Sequence, residues 1–296
     1  MPADRRPQWW IGVLLGLALL AAGGPRAGHA GAIRAVTSAT YSATWAGLPA
    51  ARIHLILRDG AARYDDAIAI RTRGLPRLFT HFRATATAEG RRGRKIPAAP
   101  SAYDAIFDLR KWRDRRVSMR FVNRGGASVI ERGPGDTSDK PPLPPRFRTN
   151  AVDPLSALER IRAAILAARV VGASFTVPVY DGTRRFDVVG HILPKSQERP
   201  GMLRLDLSLR PIAGFKHRPG AEDPEDAPRT VELVVTDDAR AMPLWLSVPI
   251  WYLPLTVRLD RLCAPPQPCT GRRRSSARSE PPGRAVQTGG ERPSGG

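Results

Sequence analysis

Cysteine is scarce in this sequence, which contains two among 296 residues, Cys263 and Cys269. Structural zinc sites need several Cys or His ligands at short fixed spacings, and no His lies beside this pair. The histidines elsewhere form neither H-x-x-x-H nor H-E-x-x-H, so the sequence predicts no metal site. In an oxidising compartment we predict instead a Cys263–Cys269 disulfide that clips the chain where the domain ends, with two free thiols as the alternative.

Catalytic motifs are equally scarce. The Ser residues of GASVI and GASFT stand outside any G-x-S-x-G motif, and strand-like residues follow both of them. The stretch NRGGAS lacks the Lys and the following helix of a phosphate-binding loop. Adjacent Asp237 and Asp238 are interpreted as a turn, because neighbouring residues of a strand point to opposite sides of the sheet. We therefore expect neither enzymatic activity nor a cofactor.

Lysine is rare as well: five of the 47 basic residues are Lys, and the formal net charge is +20. Abundant Arg, Ala, Pro and Gly are typical of a GC-rich genome, so codon bias is one explanation of the charge. Attraction to anionic envelope components is the other explanation. The clusters EGRRGRKIP and LRKWRDRR would attract lipid phosphates or lipopolysaccharide. The alternative is that these clusters are solvated loops and strand faces. The export signal at the N-terminus argues against nucleic acid as a partner.

That export signal begins with the basic pair Arg5 and Arg6, followed by the uncharged apolar run Trp9–Ala22. The run is shorter than the ~20 residues that a membrane span needs, so a secretory signal peptide is favoured and a retained anchor is the alternative. Small residues at the end of GGPRAGHA predict cleavage after Ala30, and no Cys lies nearby for lipid attachment. We expect a signal peptide over residues 1–30 and a periplasmic protein that is not an integral membrane protein after cleavage.

Period-two alternation dominates the rest of the chain. In MLRLDLSLRP, Leu residues occupy one face of a predicted strand and polar residues occupy the other. Asp-Gly and Gly-Gly turn signals separate about a dozen such segments, which predicts antiparallel pairing. We predict a single β-rich domain over residues 31–262. A disordered basic tail is predicted over residues 263–296, since it has too few apolar side chains to fold beyond the Cys pair.

One helix interrupts this pattern, and we expect it over about residues 153–170. Asp153 is suited to cap its first free amides, and Pro154 fits the first helical position. Its apolar face recurs at three- and four-residue steps and consists of Leu155, Leu158, Ile161 and Ile165. An amphipathic helix must cover something apolar, and the sheet is the available partner.

The stretch DPLSALERIR (Asp153–Arg162) resembles the central helix motif of the DUF3108 family, exported bacterial proteins of uncharacterised function. Three further stretches agree with the family in kind and order: YSATWAGLPAARI (Tyr41–Ile53), VYDGTRRFDVVG (Val179–Gly190) and ELVVTDDARAMPLWLSV (Glu232–Val248). The resemblance covers roughly residues 36–260. A Pro-rich insertion before the helix, the Cys pair and the basic tail depart from the family's pattern.

The resemblance implies a periplasmic, mainly β protein without agreed catalytic residues. Its strand–helix–strand order is similar to that of the open half-barrels of lipid and lipoprotein carriers. We therefore expect an antiparallel curved sheet or open β-barrel (half-barrel) with one central amphipathic helix.

The expected function is to bind or carry a hydrophobic or amphiphilic ligand, such as a lipid or lipoprotein, in the cell envelope. The residues expected to line or lid its cavity are Leu155, Leu158, Ile161, Ile165, Trp45 and Trp245. An envelope scaffold that binds a protein partner around a filled core is the alternative. An envelope hydrolase with an unrecognised site is a third hypothesis.

Overall fold

In the computed structural model, the described residues are 33–74, 77, 81–93, 98–109, 112–168, 170–194, 200–216, 228–250, 253–264 and 267–271. The predicted signal peptide lies outside these ranges, as does the predicted tail beyond residue 271. None of the helices within the described ranges combines the length and the apolar character that crossing a bilayer needs.

The described chain forms strands β1 (Ile33–Trp45), β2 (Leu48–Gly60), β3 (Arg63–Thr72), β4 (Arg83–Arg91), β5 (Ala99–Leu109), β6 (Trp112–Arg124), β7 (Ala127–Arg132), β8 (Ser174–Tyr180), β9 (Arg185–Ile192), β10 (Met202–Ala213), β11 (Arg229–Thr236), β12 (Pro243–Ile250), β13 (Leu253–Ala264) and β14 (Gln267–Gly271). The helices are α1 (Pro145–Arg148) and α2 (Pro154–Ala168). Alternation of buried and more exposed residues along the strands, as over Tyr64–Ile70 of β3, gives the sheet one dry face.

All fourteen strands belong to one antiparallel sheet, so the predicted mainly β, antiparallel fold is confirmed. The strand order is β7-β6-β5-β4-β3-β2-β1-β13-β12-β11-β10-β9-β8, with β14 attached to β13. Each half is a series of consecutive hairpins, β1–β7 and β8–β13, and the β1–β13 pairing joins the halves. Helix α2 lies in the connection between them.

The sheet extends past residue 262, the predicted end of the domain. Strand β13 continues to Ala264, and β14 pairs with it at Arg261–Gly271 and Leu262–Thr270. The predicted start of the disordered tail is therefore corrected, because backbone hydrogen bonds to β13 supply the order that side-chain burial could not. Cys263 is disulfide-bonded. The side chain of Cys269 lies outside the described residues, so the pairing of the two stays a prediction.

The two edge strands, β7 and β8, are joined by residues 149–152, immediately before α2. Thr149 forms an antiparallel bridge with Val129 of β7, and Val152 forms a parallel bridge with Val179 of β8. The sheet therefore curves round until both of its edges reach one segment of chain. We refer to residues 149–152 as the seam.

Helix α2 lies inside the curved sheet and contacts β3, β4 and β8. Part of its apolar face packs with inward side chains that come mainly from β1–β7, and another part packs with side chains that come mainly from β8–β13. The helix lies close to β4 because the inward residues of that strand are small: Ala84, Ala86 and Ala88. The predicted central helix is thus present and covers the dry face of the sheet.

The turn between β8 and β9 closely approaches β6 at Gly182. Gly182 has φ +96°, and a Cβ built there would lie 2.6 Å from Cγ1 of Val117 in β6. We expect Gly182→Ala to cost about 1 kcal/mol for the left-handed backbone and roughly 1–3 kcal/mol more for overpacking against Val117. The matched control is Gly172→Ala, because Gly172 has φ +82° and nothing within 4 Å of its Cβ. Urea unfolding measures both, and equal losses would contradict the contact.

Candidate functional site

The start of α2 is buried and capped by Asp153, the residue before Pro154. Oδ1 of Asp153 accepts hydrogen bonds from the backbone N–H of Leu155 at 3.0 Å and of Ser156 at 2.8 Å. Burial raises the pKa of Asp153 to about 6, and the hydrogen bonds from Ser156 and Leu155 partly oppose this rise. The cap gives the first amides of the helix a partner where water cannot reach them.

The predicted apolar face of α2 is covered by the sheet. Leu155, Ile161 and Ile165 are 5%, 7% and 1% exposed, and Leu158 is half-buried. Leu155 and Leu158 pack in the cluster formed mainly with β1–β7, whereas Ile161 and Ile165 pack in the cluster formed mainly with β8–β13. The helix therefore connects the two halves of the interior, and this face is in contact with protein.

Another side of α2 carries polar groups that meet the wall at β3 and β4. The hydroxyls of Ser156 and of Tyr64 in β3 share a hydrogen bond of 2.8 Å. Burial raises the pKa of the Tyr64 hydroxyl well above its usual range. Gly90 of β4 leaves room for the Tyr64 ring, which any Cβ at that position would overlap. This close approach fixes Tyr64 where it can reach the helix.

A group of ion pairs continues this polar side, with buried and half-buried members. Glu159 of α2 pairs with Arg92, which follows β4, and with Arg162 one turn further along the helix. Arg92 also pairs with Asp59 of β2 at 2.7 Å. Nε of Arg162 donates to the carbonyl oxygen of Arg240 at 2.8 Å. These contacts fasten α2 to β2, to the end of β4 and to the turn between β11 and β12.

Asp66 of β3 belongs to the same group, and both of its carboxylate oxygens lack a hydrogen-bond partner among the described residues. Its side chain is fully buried, and this burial raises the pKa of Asp66 to about 9. The carboxylates of Glu159 and Asp59 add to the rise. The guanidinium groups of Arg162 and Arg92 oppose it. Asp66 is therefore protonated at neutral pH, which leaves two carboxylates against two guanidinium groups.

Three carboxyl groups of this cluster lie close enough together to be considered as ligands of a metal ion. Asp59, Asp66 and Glu159 each place one oxygen within 4.8 Å of the others. Asp59 and Glu159 are already paired with guanidinium groups, which would repel a cation at this position. A proton on Asp66 balances the charge without an ion. This donor set fits a neutral cluster, which we call the polar latch: Asp59, Asp66, Arg92, Glu159 and Arg162.

A small pocket lies beside the seam, between β6–β7 and the turn that follows β8. Its cavity volume is about 10 Å³, roughly the room that one water molecule needs. Pockets for drug-sized ligands usually enclose about 300–1,000 Å³, so this pocket does not hold an amphiphile. Its lining combines apolar, cationic and acidic side chains, among them Met119, Ile130, Tyr180, Arg132, Arg148 and Asp136.

The two predicted lining tryptophans lie on opposite faces of the sheet. Trp45 is half-buried and packs against the β8–β13 cluster. Trp245 alternates along β12 with Leu246 and Val248, which belong to the inner cluster, so it points outward. The predicted lining role of Trp245 is corrected accordingly. In LWLSV the alternation of Leu244, Leu246 and Val248 already places Trp245 on the other face, and only its large apolar ring suggested a lining role.

Sequence reasoning did not identify Asp59, Asp66 or Arg92. Asp59 lies in β2, Asp66 lies in β3 and Arg92 follows β4, so they meet only after the strands pair. One signal was present in YDDAIAI, where Tyr64 and Asp66 share a face with Ile68 and Ile70. A carboxyl group on the apolar face of a predicted strand indicates a buried polar contact.

We expect Asp66→Asn to remove a pH dependence of stability. The pKa of Asp66 is about 9 in the folded protein and about 4 in an unfolded chain. Below about pH 4 both states hold the proton, and above that pH the unfolded chain releases a proton that the folded protein keeps, so stability falls until about pH 9. The wild-type free energy of unfolding should therefore fall relative to that of the variant, by at most about 1.4 kcal/mol per pH unit.

Urea unfolding of both proteins between mildly acidic and mildly alkaline pH measures this difference. Asp65→Asn is the matched control, since the Asp65 side chain is 51% exposed and faces outward on the same strand. That control should leave the pH dependence unchanged. Parallel curves for wild type and Asp66→Asn would show that Asp66 does not hold the proton.

Comparisons with known proteins show a structural likeness but no family. No family model matches the chain, and no curated protein matches it. Among solved structures, the chain is similar to a beta-barrel-like protein from Brucella abortus, a domain of unknown function named DUF1849. The TM-score is 0.47 at 8% sequence identity, over 78% of this chain and 98% of that one. The resemblance to the DUF3108 family is not tested by these comparisons and stays a prediction.

Proposed function

We propose that this protein is a non-enzymatic, periplasmic cell-envelope protein that binds or carries an amphiphilic molecule, such as a lipid or lipoprotein, and that it is a DUF3108-like protein. The observation that carries the proposal is α2, a helix enclosed by a curved sheet whose inner face is apolar on both sides of it. Displacing the helix would expose that inner face to an acyl chain. The ligand site is thus the volume that α2 occupies.

Few hydrogen bonds hold the seam to the two edge strands. On the β7 side, the backbone N–H of Asn150 donates to Ser128 at 2.7 Å, and that of Ser128 donates to Oδ1 of Asn150 at 3.3 Å. On the β8 side, the backbone N–H of Tyr180 donates to Val152 at 2.8 Å, and that of Val152 donates to Pro178 at 2.9 Å. By comparison, β8 and β9 pair along the whole length of β8, Ser174–Tyr180. Because the seam leads directly into α2, opening it would move the start of the helix.

The pocket beside the seam has the chemistry of an entrance for an amphiphile. Met119, Ile130 and Tyr180 present apolar surface, and Arg132 and Arg148 bring positive charge. These three apolar residues also belong to the inner cluster that contains Leu155 of α2. An apolar group entering here would therefore reach the helix by contacts inside one continuous cluster, with an anionic head group left near the arginines.

The polar latch suits a helix that is displaced rather than one that is fixed permanently. Buried ion pairs define position well but contribute little net stability, because leaving water costs each charge several kcal/mol. Once α2 moves, water can solvate Glu159 and Arg162 and recover much of that cost. An apolar contact has no such compensation.

A second candidate function, a scaffold that binds a protein partner around a filled core, is favoured by one observation. Leu155, Ile161 and Ile165 are packed as tightly as ordinary core residues. In that case α2 never leaves its place, and the protein contains no exchangeable ligand.

We expect a disulfide across the seam to separate these functions. Val129 and Thr149 face each other in an antiparallel bridge, where Cα atoms are about 4.5–5.5 Å apart, within the range of a disulfide. The double variant Val129→Cys/Thr149→Cys, exported and purified from the periplasm, should contain much less copurified amphiphile than wild type. Native mass spectrometry and organic extraction measure the bound molecules.

The two single-Cys variants are the matched controls, and reduction of the double variant before exposure to envelope lipids should restore binding. Wild-type protein free of any amphiphile would overturn the carrier function and leave the scaffold. A locked variant that carries as much amphiphile as wild type would show that the seam is not the entrance.

A further inference from the structure

Arginines from four strands form a row across the outer face of the sheet. Arg258 of β13 lies opposite Ser42 of β1, and Ser42 lies opposite Arg52 of β2. Arg52 lies opposite Arg71 of β3, which in turn lies opposite Arg83 of β4. Directly opposed residues on neighbouring strands lie about 5 Å apart. We call Arg52, Arg71, Arg83 and Arg258 the arginine row.

The row points away from α2. On β2, β3 and β4 the buried residues alternate with the row arginines, for example Ile53 beside Arg52 and Ile70 beside Arg71. Arg71, Arg83 and Arg258 are exposed, and Arg52 is half-buried. The row therefore faces solvent across five neighbouring strands.

Carboxylates do not neutralise this row in the described part of the chain. Within that part, none of the four arginines makes a salt bridge or a side-chain hydrogen bond. Two acids lie nearby in register: Asp108 opposite Arg83, at one end of the row, and Asp260, which accepts a hydrogen bond from Ser42 between Arg258 and Arg52. Like charges directly opposite each other destabilise a sheet. An external anion would remove that repulsion.

The neighbourhood of His54 reports the same positive potential. His54 lies on the outer face of β2, two residues from Arg52. Burial lowers the pKa of His54, and the charges of Arg52, Arg71 and Arg73 lower it further. Arg73 continues the row toward the end of the sheet, where its backbone N–H donates to Ala50 at 2.7 Å.

An apolar rim lies at that end of the sheet. Leu48 opens β2 and Leu253 opens β13, and both are exposed, by 49% and 44%. They are close in space because β1 lies between these strands, with Trp45 opposite Leu48 and the following N–H of Ala46 bonded to Pro254. Pro49 and Pro254 are exposed beside them. We call Leu48, Pro49, Leu253 and Pro254 the apolar rim.

We propose that the arginine row and the apolar rim together dock the protein on a bilayer that contains anionic phospholipid. Arginine side chains reach lipid phosphates while their stems stay along apolar surface. Exposed leucines at the tips of adjacent hairpins would enter the interface between head groups and acyl chains. A soluble polyanion would use the row but not the rim, so the rim is what favours a bilayer. This surface does not depend on the proposed carrier function.

The test is sedimentation of the purified protein with vesicles of phosphatidylcholine alone and of equimolar phosphatidylcholine and phosphatidylglycerol. Wild type should bind the anionic vesicles and lose binding in high salt. The triple variant Arg52→Gln/Arg71→Gln/Arg83→Gln should bind about 100-fold more weakly, since each cation near an anionic surface contributes about 5-fold. The matched control, Arg63→Gln/Arg91→Gln/Arg124→Gln, removes three exposed arginines elsewhere and should change binding much less.

The rim has its own variant pair. Leu48→Ser/Leu253→Ser should weaken vesicle binding several-fold, whereas Val170→Ser/Val171→Ser, which changes two residues 65% and 53% exposed, should not. Every variant carries the same N-terminus, so differences between variants report these surfaces alone. Equal binding to both kinds of vesicle, or equal losses in the row variant and its control, would overturn the proposal. If the rim variant had no effect and retention on heparin depended on the row, the partner of the row would be a soluble polyanion and the bilayer proposal would be wrong.

The double variant Val129→Cys/Thr149→Cys, in which a disulfide closes the seam, distinguishes this proposal from the carrier function. It should bind anionic vesicles as wild type does even if no amphiphile is ever found inside the protein. Loss of vesicle binding on locking the seam would show that docking requires the seam to open, and the independent surface proposed above would then be wrong.

Discussion

The pairing of both sheet edges with one short segment is the constraint on which this structure depends. A strand edge with unpaired N–H and C=O groups is costly when buried and prone to pair with other chains when exposed. The seam gives β7 a partner through Thr149 and β8 a partner through Val152. Since α2 begins two residues after Val152, the chain path that closes the sheet also directs the helix into its interior.

A helix in that position must fit two different surroundings. Its apolar residues meet side chains from both halves of the sheet, and its polar residues meet the ends of β2, β3 and β4. Buried charges persist only when they are paired or neutralised. Glu159 is paired with two guanidinium groups, and Asp66 is neutralised by a proton. These polar contacts thus specify the position of the helix while adding little to its stability.

The sequence predicts the strands and the helix because both have short periods. Leu155, Ile161 and Ile165 follow the helical period, and the alternation in β3 or β10 is visible within one segment. The polar latch is not predictable in this way, because Asp59, Asp66 and Arg92 come together through the register of separate strands. The lining role predicted for Trp245 was wrong for a different reason: it rested on the large apolar ring, although the Leu and Val residues of LWLSV alternate with Trp245 and share the inner face.

Register also decides how the basic charge should be interpreted. Codon bias would explain the number of arginines, but not their placement opposite one another on neighbouring strands. Arg258 lies beside the arginines of β2, β3 and β4 only because β13, late in the sequence, pairs with β1, the first strand. Such a row opposes the pairing of its own strands. The same three strands, β2, β3 and β4, carry arginines outward and hold α2 inward, so a bilayer at the row would act on the wall to which the helix is fastened.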